Sequence, residues 1–260
     1  MLCLLIFILF VEICFGLSNS SNSESRIVKG WKMHIYRYPH SGFMYFKKDV
    51  PNACGSSLIV AQAVITAAHC MDELRYHAGE IRIFFGSEIP IYSKIIRKVV
   101  AFRIHPKYDR KKGRFNLAIA FLNDLVSLGD SVNKIPIVAT PPKVNDALYT
   151  SGWGKQVPGK NHDYSNLRHL KVSKQRVISL RECQKHVGFK MSEAFWCTAS
   201  INGYHYHGDA GNGLVTKHRF LVAVVSHMIN DLTIYTDVAR EMRWMKESLY
   251  YLHKGHCRKT

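Results

Sequence analysis

The sequence predicts an all-β chain, an antiparallel barrel or sandwich built in two halves. Two observations carry this reading. The body is a series of short apolar runs rich in Val, Ile, Phe and Tyr, separated by turn signals at fairly regular spacing. Pro136, Pro141 and Pro142 then mark a connection near the middle, which divides the strands into two groups. In chain order the strand-like runs are 57–60, 64–66, 81–85, 95–102, 117–122 and 220–225. Only the C-terminus reads as a helix, because Met242, Met245, Leu249 and Leu252 recur at spacings of three, four and three. With Thr236 or Asp237 as its cap, that helix is expected over about 237–252, followed by a basic tail at 253–260. No internal repeat is visible.

The chain has 260 residues, 47% of them hydrophobic and 21% charged, enough for a real core and unlike a disordered, collagenous or coiled-coil chain. Lys and Arg number 36 against 19 Asp and Glu, a net charge of +17. So large an imbalance suggests attraction to something anionic, such as a glycan, a cell surface or an acidic protein. No recognised nucleic-acid motif appears.

The first sixteen residues, MLCLLIFILFVEICFG, read as a signal peptide ending near the small residue Gly16, although no basic residue precedes the apolar run. The other reading of this run is an uncleaved anchor. A cleaved peptide leads to secretion, an extracellular location and an oxidising environment for the cysteines. Residues 17–26 are a short Ser/Asn-rich propeptide holding a glycosylation triplet at Asn19. Arg26, followed by the apolar pair Ile27 and Val28, is a plausible protease cut site. A chain starting at Ile27 keeps 35 basic and 17 acidic residues and is slightly more basic, at +18.

Several strings then occur in a telling order. Ile27-Val28-Lys29-Gly30 follows an Arg. Cys54-Gly55 comes sixteen residues before the Cys70 of Thr66-Ala67-Ala68-His69-Cys70. Ser151-Gly152-Trp153-Gly154 lies in the middle, and Cys183 and Cys197, fourteen residues apart, precede Gly208-Asp209-Ala210-Gly211. Together these resemble the trypsin-like, chymotrypsin-fold serine proteases, and in particular inactive homologues of the insect secreted type. The likeness covers almost all of the chain after Arg26. It implies two six-stranded antiparallel Greek-key barrels packed side by side, about 27–135 and 136–235, with a C-terminal helix, in a domain spanning 27–250. It also implies that the functional groups meet between the barrels.

The chemistry of that family needs a Ser nucleophile, a His base and an Asp that orients the His. The resemblance places the base at His69, the orienting residue at Asn116 and the nucleophile at Ala210. Ala has no oxygen and cannot form an acyl intermediate. Asn at the orienting position favours the wrong His tautomer, a loss of about 10⁴ in rate in a working enzyme of this family. With the Ser gone, the second loss adds little, because triad effects are strongly non-additive. The oxyanion-hole position is Gly208. The substrate pocket corresponds to Tyr204, Ser226, His227 and Met228, with Tyr204 expected on its floor and Met228 at its mouth. A blocked pocket is the preferred reading, and a neutral pocket for a new ligand the other.

The resemblance implies the disulfides Cys54–Cys70 and Cys183–Cys197, each adding about 3 kcal/mol by loop closure. Cys257 is left over, either a free thiol or a link to another chain. Arg26, Ile27 and Asp209 are retained, so that the freed Ile27 amino group would pair with Asp209 after cleavage. Either this switches shape without switching on chemistry, or it is a relic. His69 reads as a packed vestige. His205, His207 and His227 lie near the old pocket, but no tight ligand spacing supports a metal, and no cofactor is implied. Basic residues gather in the 107–114 loop and along the terminal helix and tail.

The leading functional reading is a secreted, non-catalytic serine protease homologue acting as an adaptor, decoy or cofactor. Its partner would be a protein, either an active protease or that protease's substrate. A binder of anionic glycans or microbial surfaces is the alternative, and a true endopeptidase is the reading a homology label would give.

Overall fold

The structure, a computed structural model, describes residues 30–46, 52–72, 78–138, 140–154, 169–187, 195–205 and 208–257. The signal peptide, Asn19, Arg26, Ile27 and His207 lie outside the described residues. Twelve strands form two closed barrels. The first is built from β2 (Ser41–Phe46), β3 (Asn52–Val60), β4 (Ala63–Thr66), β5 (Ile81–Phe85), β6 (Ile95–Ile104) and β7 (Ala118–Leu122). Its order is β2-β3-β4-β7-β6-β5, and it closes where Phe43 of β2 pairs with Phe84 of β5.

The second barrel contains β8 (Ala147–Gly152), β9 (Lys171–Ile178), β10 (Phe195–Asn202), β11 (Gly213–Val215), β12 (Leu221–Ile229) and β13 (Leu232–Asp237). The order β8-β9-β10-β13-β12-β11 closes through Leu214 opposite Thr150. A short β1 (Trp31–Lys32) adds to the edge of β9 at Val172. All ladders within both barrels are antiparallel, as the sequence predicts. The chymotrypsin fold is therefore the fold of this chain.

Period-two alternation explains which faces are buried. In β5, Ile81, Ile83 and Phe85 point into the barrel core while Arg82 and Phe84 are partly exposed. Strand β7 is buried on both faces, and the reason is the terminal helix. Ala118, Ala120 and Leu122 fill the first barrel, while Ile119 and Phe121 face the opposite way. There they pack with Leu221 and Val224 of the second barrel and with Trp244, Met245 and Leu252 of the helix. One apolar cluster thus joins both barrels and the helix.

Two further helices carry functional or covalent links. The short α1 (Ala68–Asp72) follows β4 and holds His69 and Cys70. Helix α2 (Leu180–Val187) was not foreseen, although Ser179 and Glu182 form an S-x-x-E start signal. The Ser179 hydroxyl accepts the Glu182 N–H at 3.1 Å. Both expected disulfides form, with Cα separations of 6.4 Å for Cys54–Cys70 and 6.1 Å for Cys183–Cys197. The terminal helix α3 spans Met242–Cys257, five residues later than expected at its start. Asp237 ends β13 instead, and its carboxylate accepts the N–H groups of Ala239 and Arg240 in a turn ahead of the helix. Residues 253–257, expected in the tail, continue the helix. No described helix is long and apolar enough to cross a membrane.

The joining cluster sets a test. Phe121 is 2% exposed, so Phe121→Ala leaves a cavity where three bodies meet and should destabilise the protein by about 3–5 kcal/mol. Denaturant unfolding measures this, and a loss under about 1 kcal/mol would mean that the cluster does not hold the barrels together.

Candidate functional site

The site forms where the turn Gly208–Gly213 of the second barrel meets β3 and β4 of the first. Gly211 takes a left-handed backbone, φ 89°, which a glycine adopts without strain. Gly55 of β3 donates its N–H to the Ala210 carbonyl at 2.7 Å. The Thr66 hydroxyl donates to the Gly55 carbonyl at 2.7 Å. The Asn212 side chain lies so close over Gly55 that any Cβ there would overlap it. On the far side, the turn is tied to β12 by the Gly211 N–H on the Val225 carbonyl and the Val225 N–H on the Asn212 carbonyl, both 2.9 Å. Ala210 itself packs against the core of the first barrel.

From the first barrel come His69 and Asn116. Phe115 holds a left-handed backbone, φ 49°, with its ring stacked on His105 at 4.9 Å. This turns the buried Asn116 side chain toward His69. The His69 backbone N–H donates to Asn116 Oδ1 at 3.0 Å. That bond fixes which end of the amide is oxygen. The amide nitrogen then lies 2.9 Å from His69 Nδ1 and 2.8 Å from Ser226 Oγ. Asn116 Oδ1 lies 3.3 Å from the same Nδ1, so the amide nitrogen is the nearer atom; with that N–H donating, Nδ1 of His69 accepts and the ring proton is assigned to Nε2. Nε2 points toward Cys70 Sγ, 3.8 Å away. An imidazole in this tautomer cannot take a proton through Nε2.

The chain of contacts continues into the second barrel. Ser226, 1% exposed, accepts from Asn116 and lies 2.9 Å from His227 Nδ1. Burial, with His69 nearby, pushes the His227 pKa down. The Asn116 amide joins Ser226 to His69, and Cys70 is locked in its disulfide. The grouping of Cys54, His69 and Cys70 offers no metal chemistry for the same reason.

Asp209 is fully buried. It accepts the Gly154 N–H at 2.9 Å and the Asn212 amide at 3.3 Å. Its second oxygen faces His205 Nδ1 at 4.0 Å. That is beyond hydrogen-bond range, so burial dominates and pushes the His205 pKa down to about 3. The neutral ring meets the Tyr235 hydroxyl at 2.9 Å. Tyr204, expected on the pocket floor, is instead 40% exposed, and its neighbour His205 is the side chain turned inward. Met228 and His227 are half-buried.

With the site's geometry in place, the comparisons are decisive for the family. Residues 27–245 match the family described as Trypsin. The chain belongs to the trypsin family. Trypsin alpha of Drosophila erecta is 27% identical over 230 residues, covering 85% of this chain and 87% of that protein. Hypodermin-A of Hypoderma lineatum is 28% identical over 210 residues, covering 79% and 78%. Among solved structures, the scabies mite inactivated protease paralogue S-D1 superposes with a TM-score of 0.75 at 21% identity, over 86% of this chain and 97% of that one. Paralogue S-I1 gives 0.74 at 20% identity, over 85% and 99%. These structures share the trypsin-family fold.

Two outcomes follow from the geometry. Asn116→Asp replaces the donating amide with a carboxylate, so the His69 proton should move to Nδ1. Nitrogen-15 NMR of the ring reads this directly, and an unchanged tautomer would contradict the hydrogen-bond assignment. Buried His205 has a depressed pKa, so its stability contribution is complete above about 6.5 and is lost as pH falls toward about 3. The buried His40, likewise pushed to about 3, acts in the same direction. Stability should fall with acid by up to about 1.4 kcal/mol per pH unit per proton taken up. His205→Phe should flatten that slope in unfolding curves collected from pH 7 to 4, and an unchanged slope would remove His205 as a cause.

Proposed function

We propose that this trypsin-family protein is secreted and works by binding, not by cutting peptides. The observation that carries the reading is the methyl group of Ala210. It occupies the turn that the family resemblance assigns to the nucleophile, in a scaffold otherwise intact around it. Without an oxygen there, no acyl intermediate forms. The Nε2–H tautomer assigned to His69 points the same way, although with no oxygen at residue 210 it adds little to the loss. The signal-peptide-like start and the two disulfides support passage through the secretory pathway. Two solved neighbours are described as inactivated protease paralogues, which agrees with the reading, although at 20–21% identity they speak only for the fold.

In this role the protein is an adaptor, decoy or cofactor for another protein, an active protease or that protease's substrate. Cleavage after Arg26 would free the Ile27 amino group for Asp209 and alter the partner-binding surface without creating activity. Partner capture from the native secretion, using wild-type and Arg26→Gln chains, should differ between the two. Equal capture would remove the switch.

The direct assay of inactivity uses a panel of peptide amides with the protein cut after Arg26. Hydrolysis should not exceed the roughly 10³-fold acceleration over water left to such a scaffold without its nucleophile. Turnover at the rates of a working protease that disappears in His69→Ala would overturn the reading.

A further inference from the structure

A concavity separate from the His69–Asn116–Ala210 site lies where β1 and the turn after it meet β8, β9 and the β11–β12 turn. Its volume is about 230 Å³. Aromatic walls come from Trp31, Tyr38 and Tyr149, and cations from Arg37, Lys217 and Arg219. None of the lining residues is acidic, and none of the three cations is paired with a described carboxylate.

This contrasts with the basic clusters read from the sequence. There, Arg110 lies 3.8 Å from Asp72, Arg240 3.5 Å from Asp237 and Arg243 3.0 Å from Glu247, while Lys107 sits 5.7 Å over the Phe115 ring and Lys254 5.7 Å over the Tyr250 ring. Those charges are already partly compensated within the fold. Among the described residues, none of the three at the concavity has a carboxylate partner, and the Arg219 guanidinium donates only to the Tyr36 backbone carbonyl, at 3.5 Å.

Its construction is also unusual. Arg219 holds a left-handed backbone, φ 63°, where Gly or Asn is the ordinary occupant. The turn is closed by the Arg219 N–H on the Thr216 carbonyl and the Thr216 N–H on the Phe220 carbonyl, both 3.0 Å. A strained backbone therefore presents a guanidinium to the concavity. Burial pushes the Tyr38 phenol up to about 12 despite Arg37 and Arg219 nearby, so it stays a neutral hydroxyl able to donate.

We infer that this concavity binds one anionic sugar ring of a sulfated glycan. The volume is below the usual range for drug-sized ligands and suits a single ring. The C–H faces of a sugar pack on flat aromatic surfaces, and its hydroxyls meet the Tyr38 hydroxyl. Sulfate or carboxylate substituents meet the arginine forks and the lysine. The net charge of +17 draws a polyanion toward the protein before the ring docks. The inference names the ligand chemistry of a binding protein and rests on the proposed secretion, which places sulfated glycans within reach.

The test uses the full secreted chain and a sulfated heparin-derived disaccharide, followed by calorimetry and Trp fluorescence. An unsulfated disaccharide of the same backbone and inorganic sulfate are the comparison probes. Arg219→Gly relieves the backbone strain, so the variant should fold at least as well, which thermal unfolding verifies. The expected result is binding of the sulfated disaccharide that weakens as salt rises and falls at least tenfold in Arg219→Gly and in Arg37→Gln. Arg240→Gln with Arg243→Gln on α3 should leave it unchanged. Equal binding by wild type and Arg219→Gly, loss only in the α3 variant, or inorganic sulfate binding as tightly as the disaccharide would overturn the inference. Each of those results leaves the peptide-amide assay unaffected, so failure here is distinguishable from failure of the non-catalytic reading.

Discussion

Where β3 of the first barrel meets the 208–213 turn of the second, two backbones touch with no side chain between them. Gly55 and Ala210 share a hydrogen bond of 2.7 Å, and Thr66 and Asn212 clasp Gly55 from either side. A larger residue at position 55 would overlap Asn212 and push the turn away. This contact brings His69 and Asn116 of one barrel into the same space as Ala210 and Ser226 of the other. The cluster of Phe121, Leu221 and Trp244 supports it from behind by joining the barrels to α3.

Within that frame His69, Asn116, Ser226 and His227 form one hydrogen-bond network. The His69 backbone orients the Asn116 amide, the amide sets the His69 tautomer, and the same amide reaches Ser226 and through it His227. Each member has its partner, so the network stiffens the junction between the barrels. Its directions of donation are those of a structural element. A carboxylate at position 116 would reverse them at His69.

Much of the fold was legible because strands with one buried face show period two, and the motif order around His69, Asp209 and the four bridging cysteines is distinctive. The start of α3 was misplaced because Asp237 caps a turn as readily as a helix. The inward turn of His205 in place of Tyr204 could not be read, since neighbouring residues in an irregular turn have no period to assign faces. Helix α2 was missed despite its Ser179–Glu182 signal because its apolar positions are few. Of the pairs that compensate the basic clusters, Arg240 with Asp237 and Arg243 with Glu247 are neighbours along the chain, whereas Arg110 with Asp72 joins residues distant in sequence. The aromatic and cationic concavity gathers residues 31–38, 149 and 216–219, so no local pattern announces it.

The central claim is that residue 210 offers nothing to acylate. Rapid mixing of the protein, cut and uncut after Arg26, with an activated nitrophenyl ester, followed by intact-mass measurement, tests it most directly. The account predicts no stoichiometric burst of nitrophenol and an unchanged protein mass in both forms. One equivalent of burst, with an acyl group added to the chain and lost again on standing, would contradict it.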